Sequence, residues 1–101
     1  MRSAATSMNL RCSSLRSIVG GDIEGLTFAG HSDFILFINE IGKIIGLPVN
    51  TLASVFSLEF VSEIPMIYGN AVICGLDEEG VTCDLTDEQV EQFTQILDGI
   101  H

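Results

Sequence analysis

Asn39-Glu40-Ile41-Gly42-Lys43-Ile44-Ile45-Gly46-Leu47-Pro48-Val49-Asn50 sets the architecture of this chain. It holds the only Lys of the protein, two Gly, one of two Pro and an Asn at each end. Gly and Pro interrupt regular structure at fixed points, so the stretch reads as a series of stops and starts. Asn39–Gly42 is expected as a tight turn, with Gly42 at positive φ. Lys43–Ile45 then returns as a strand, forming a hairpin with the preceding apolar run. Gly46 and Pro48 end it, and Asn50 is suited to cap a short helix over Thr51–Phe56.

Working outward toward the N-terminus, Phe34–Ile38 is β-branched and aromatic, the composition of a central strand. Gly30-His31-Ser32-Asp33 has turn chemistry. Asp22–Ala29, with Ile23, Leu26 and Phe28, reads as a strand weakened at Gly25. Leu15, Ile18 and Val19 recur at helical spacing before Gly20-Gly21, which ends the helix. Toward the C-terminus, residues 57–65 read as loop and Met66–Gly75 as a strand broken near Gly69-Asn70. Asp77–Gly80 is a hairpin turn leading to a strand at Val81–Asp84. Pairing Leu76 with Val81 sets Cys74 opposite Cys83, as two buried thiols. Thr86 and Gln89 form a capping box for a C-terminal helix. Asp87 and Glu88 sit in its favourable first turn. Val90, Phe93, Leu97 and Ile100 mark its apolar face.

The chain has 101 residues, 47% hydrophobic and 18% charged, which bounds it to one folded domain. The longest apolar runs, Phe34–Ile38 and Ala71–Cys74, are far below the roughly 20 residues of a membrane span. No secretory apolar region opens the chain. The net charge is −10, unevenly spread. Arg2, Arg11 and Arg16 lie in an acid-free N-terminal stretch, and Lys43 alone faces all fourteen acids thereafter. Such a body disfavours direct nucleic-acid binding and suits a basic partner. Three Cys in no zinc spacing point to a reducing cytosol. Residues 1–14 are Ser- and Arg-rich, like a transit peptide or a flexible, extraneous tail, and leave residues 15–101 as the domain.

No catalytic constellation stands out. His31 lies in an expected turn and His101 is the last residue. Asp77-Glu78-Glu79-Gly80 lacks the Gly position of a calcium loop, and Gly20-Gly21 lacks nucleotide-loop spacing. No metal or cofactor is expected. Asn39, Glu40, Lys43 and Asn50 are the candidate ligand- or partner-binding residues, with the lone Lys as anchor for an anionic group. Each also has a structural reading: Asn39 and Glu40 bonding the turn, Asn50 capping, Lys43 pairing with Glu40.

Four blocks in this order resemble a small domain family of unknown function found in phage, plasmid and bacterial genomes. They are Val19-Gly20-Gly21-x-Ile23-Glu24, the 39–50 stretch followed by Ala53, Ile67-x-Gly69-Asn70-Ala71-Val72-Ile73, and Leu85–Gln89. The resemblance spans roughly residues 15–97. Residues 1–14 do not read as the strand that opens that family, and Asp22 stands where its pattern is commonly aromatic. The resemblance implies a compact α+β fold and a phage, mobile-element or bacterial setting, and supplies no catalytic residues.

The expected architecture is α+β: a mostly antiparallel sheet of four or five strands, packed by the C-terminal helix and one or two short helices. The expected function is a non-enzymatic accessory or interaction protein, cytoplasmic in a bacterium or infected host. It would bind a host protein or a small ligand, without nucleic acid or membrane. Mean hydropathy of +0.43 adds a homodimer as a further expectation. One alternative is a small enzyme using Glu40 and Lys43 as an acid/base pair. Another is an organelle-targeted protein with a transit-like N-terminus.

Overall fold

Phe34–Ile38 forms the middle of a sheet, as its composition predicts. The computed structural model describes residues 6–61 and 66–100. In chain order the elements are β1 (Met8–Asn9), α1 (Leu15–Val19), β2 (Ile23–Phe28), β3 (His31–Asn39), α2 (Thr51–Ser57), β4 (Ala71–Leu76), β5 (Thr82–Cys83) and α3 (Asp87–Asp98). The sheet runs β1-β4-β3-β2, with β5 also on β4. β3 occupies one side of β4, so β1 and β5 share the other: β1 beside Ala71 and Val72, β5 beside Gly75 and Leu76. The α+β class holds. The sheet is mixed, because β1 pairs with β4 in parallel while every other pairing is antiparallel.

Strand alternation divides the core in two. Phe34 and Leu36 of β3, Ala71 and Ile73 of β4, and Met8 of β1 face α2 and α3. There Phe28, Phe34, Phe56, Phe60 and Phe93 pack ring against ring, Phe34 and Phe93 with centroids 5.0 Å apart. The opposite face carries Phe37, Val72 and Cys74, covered by Val19, Ile18 and Leu15 of α1. Gly25, the expected weak point of β2, has a packing reason on this face. A Cβ there would stand 2.7 Å from Cδ1 of Ile35 and 3.3 Å from Phe37.

Several expectations are corrected. Lys43–Ile45 is not a strand, and β3 has β2 and β4 as its partners. The segment instead bonds to itself: Ile45 N–H donates to the Ile41 carbonyl at 3.0 Å and Leu47 N–H to the Gly42 carbonyl at 2.9 Å. Gly42 lies against the Tyr68 backbone and Gly46 takes a φ of +76°, so the chain curls back on itself instead of extending along β3. The β2–β3 turn is confined to Ala29-Gly30, since His31–Asp33 already pair or extend within β3. Residues 1–14, set apart from the domain in the sequence, contribute in their described part both β1 and Cys12 to the fold. Val90 is exposed on α3, and Ile96 packs on the core alongside Leu97 and Ile100.

The cysteines differ most. Cys12 and Cys74 form a disulfide, with Cα atoms 4.9 Å apart across a sequence separation of 62. β5 pairs one residue later than expected, Gly75 with Cys83 and Leu76 with Thr82. That shift puts the side chains of Cys74 and Cys83 on opposite faces of the sheet. Cys83 is a free, exposed thiol. The extra residue is taken up by the turn, where the Asp77 carboxylate accepts from the N–H groups of both Glu79 and Val81 at 2.9 Å.

Candidate functional site

Asn39, Glu40, Lys43 and Asn50 separate into two kinds. Asn39 and Asn50 are buried and carry structural bonds; Glu40 and Lys43 are exposed on the loop between them. Among the described residues no hydrogen bond or ion pair joins Glu40 to Lys43.

Asn50 caps α2 through its Oδ1, which accepts from Ala53 N–H at 2.9 Å. Its Nδ2 donates to the Ser7 carbonyl at 2.9 Å and to the Gly69 carbonyl at 2.8 Å. One side chain therefore binds the helix start, the N-terminal segment and the approach to β4, with both amide hydrogens used. Asn39 Nδ2 donates to the Val19 carbonyl at 3.1 Å, and its Oδ1 accepts from Ile41 N–H at 2.9 Å. It fixes the end of β3 to the end of α1. Asn70, absent from the candidate set, does related work: its Oδ1 accepts from Ser7 N–H and its Nδ2 donates to the Ile18 carbonyl.

The loop 40–49 is tied to the body at both ends and along its inner side. Glu40 N–H donates to the Asp22 carbonyl at 3.0 Å, and Gly42 N–H to the Asn39 carbonyl at 3.3 Å. Gly42 is needed for close approach instead of positive φ, since a Cβ there would lie 2.9 Å from the Tyr68 carbonyl oxygen. Val49 bridges to Tyr68, and Leu47 packs against Gly69. With Leu47 turned inward, the isoleucines have nowhere to go but solvent. Ile41 is 47% exposed, Ile44 83%, Ile45 52% and Val49 44%. Ile41 and Ile45 are spaced and bonded as one helical turn, which sets them on the same side. Lys43 is exposed on the same loop.

Sequence reasoning missed this apolar surface by assigning Ile44 and Ile45 to a strand. The available signal was the Gly42–Gly46 spacing, which leaves three residues between two breakers. Beside the loop, Leu47, Pro48, Gly69, Asn70 and Ile18–Gly20 line a shallow cleft of about 290 Å³. The Asn70 amide at its wall is already engaged at both ends.

Elsewhere the surface is acidic. Every described Asp and Glu side chain is exposed, and from Asp77 onward the chain carries acids without Lys or Arg. Arg16 is paired with Asp22. Among the described residues no three His, Cys, Asp or Glu side chains are arranged to hold a metal ion. No helix among them is long and apolar enough to cross a membrane.

No curated protein and no solved structure matches the chain. A family model does: the domain of unknown function DUF3846 matches residues 3–98, spanning both asparagine anchors, the loop between them and all of the sheet. The chain belongs to the DUF3846 family of domains.

Proposed function

We propose that this domain is a non-enzymatic interaction module of a phage, mobile element or bacterial host, and that it docks on a host protein through the 40–49 loop. The observation that carries this reading is the exposure of Ile41, Ile44 and Ile45 on a self-bonded loop fixed at both ends by buried asparagines. Water-exposed isoleucines on a rigid support lose little entropy when covered, so the surface is suited to association. The partner's chemistry follows from charge. Glu40 and Lys43 cancel within the loop, while the rest of the body is strongly acidic. The complementary surface is an apolar groove with a carboxylate for Lys43 and a basic rim facing the body. Ile41, Ile44, Ile45 and Val49 together cover well under the roughly 800 Å² per partner of a standard stable interface, which favours insertion into a groove over a flat self-pairing of two loops.

The test compares the full chain with Ile44→Asp/Ile45→Asp in capture from a bacterial host lysate, followed by binding to the purified captured protein. A partner bound by the wild type and lost in the variant, with the circular dichroism spectrum unchanged, is the expected outcome. Equal capture by both proteins overturns the reading, as does a wild-type homodimer in light scattering that the same variant dissolves.

A further inference from the structure

The Cys12–Cys74 bond is the covalent tie between the N-terminal segment and the middle of the sheet. β1 has two residues, Met8 and Asn9. Its neighbourhood adds Ala71 N–H to the Ser7 carbonyl at 2.9 Å and the Asn50 and Asn70 bonds to the Ser7 backbone. Between Asn9 and α1, Leu10 packs on the core of the opposite face and Cys12 is bonded covalently to β4. Cys74 is fully buried against Val19, Phe37 and Val72, whereas Cys12 is only partly covered.

The same segment reaches the loop. α1 begins three residues after Cys12, and its last turn receives Asn39 at the Val19 carbonyl and Asn70 at the Ile18 carbonyl. Two residues beyond Gly20, Asp22 accepts from Glu40 N–H. A chain of named bonds thus runs from Cys12 through α1 to the first residue of the loop. The Arg16–Asp22 ion pair, both side chains exposed, adds little to it.

We propose that Cys12–Cys74 is a redox latch: oxidised, it holds α1 against the sheet and fixes the base of the 40–49 loop; reduced, it releases both. Regulation of docking by this latch rests on the docking reading above. The opening reaction needs a dithiol reductant. One reductant thiolate attacks Sγ of Cys12, the accessible sulfur, and Cys74 leaves as thiolate and takes a proton. The second reductant thiol then displaces Cys12, which is protonated in turn. Two electrons and two protons pass to the protein and the reductant closes its own disulfide. Cys83 does not substitute for the reductant, because it lies on the other face of the sheet, beside Gly75.

The test uses the full chain with Cys83→Ala, to exclude exchange between molecules. The protein is equilibrated with oxidised glutathione or with dithiothreitol, and thiols are counted before amide hydrogen exchange is followed. The oxidised form is expected to show no reactive thiol and the reduced form two. Exchange at residues 15–22 and at Glu40 and Ile41 is expected to quicken at least about tenfold on reduction, with α3 unchanged. Cys12→Ser should exchange like the reduced protein without any reductant. Two reactive thiols in the oxidised sample, or equal exchange in both states, overturns the latch. Quickening that stops at α1 overturns its link to the loop. Capture of the host protein, run in both states, reports on docking separately: capture lost in both defeats the docking reading and leaves the exchange result intact.

Discussion

Asn50 makes three bonds from a fully buried position, and no other residue type replaces it. Ala removes the cap and takes a donor from the Gly69 carbonyl and from the Ser7 carbonyl, which keeps Ala71 N–H, so Asn50→Ala is expected to lower stability by about 2–4 kcal/mol in urea denaturation. Asn50→Asp keeps the cap acceptor but turns a carboxylate toward the Ser7 and Gly69 carbonyls, and should be at least as damaging. An Asp variant more stable than the Ala variant would show that the cap, and not the amide donors, is the important part. Gly69 offers a second comparison. Its φ is +83°, and a Cβ there would meet Cδ1 of Leu47 at 2.7 Å. Gly80 has φ +78° with open space around it. Gly80→Ala should therefore cost the backbone strain alone, about 1–2 kcal/mol, and Gly69→Ala clearly more. Equal losses would mean that Leu47 moves aside freely. The capping role of Asn50 was legible in the sequence, because Asn before a helix has one common use. Its two donor bonds were not, since they reach Ser7 and Gly69, at separations of 43 and 19.

Among the elements, α3 was the most legible because all of its signals are local. Thr86 accepts from Gln89 N–H at 3.1 Å while Gln89 Oε1 accepts from Thr86 N–H at 2.9 Å. The free Nε2 of Gln89 then reaches back to Asp33 on β3. Thr86→Ala should cost about 1 kcal/mol, and Gln89→Ala more, because it also unties α3 from the sheet. Thermal melts of the two variants give the order; Thr86→Ala as the weaker protein would contradict it. β5 and β1 were harder to read for a physical reason. Each has two residues, and neither has an alternation to recognise. Their placement comes from β4, which supplies the ladder on which both rest. The 40–49 loop was misread because Ile favours strands in composition, while the positive φ of Gly46 and the bonds from Ile45 and Leu47 back to Ile41 and Gly42 curl the chain there.

At the scale of the whole molecule, exposed acids surround a fold with few cations, and like charges oppose compaction. Raising salt from about 10 mM to about 500 mM shortens the Debye length from roughly 30 Å to a few Å and should raise the melting temperature. A temperature that falls over this range would mean that the Arg16–Asp22 pair outweighs the repulsion. The parallel pairing of β1 with β4 also orders events during synthesis. Met8 and Asn9 leave the ribosome long before Ala71 and Val72, their only strand partners in the sheet. Asn50 precedes β4, but the Asn70 side chain that accepts from Ser7 N–H arrives only with it, and contacts of such wide separation form late. Nascent chains stalled before residue 70 should be cut by protease around Ser7–Asn9, and chains released after Leu76 should be protected there. A segment made before every other element of the described fold thus waits for β4 before it can settle.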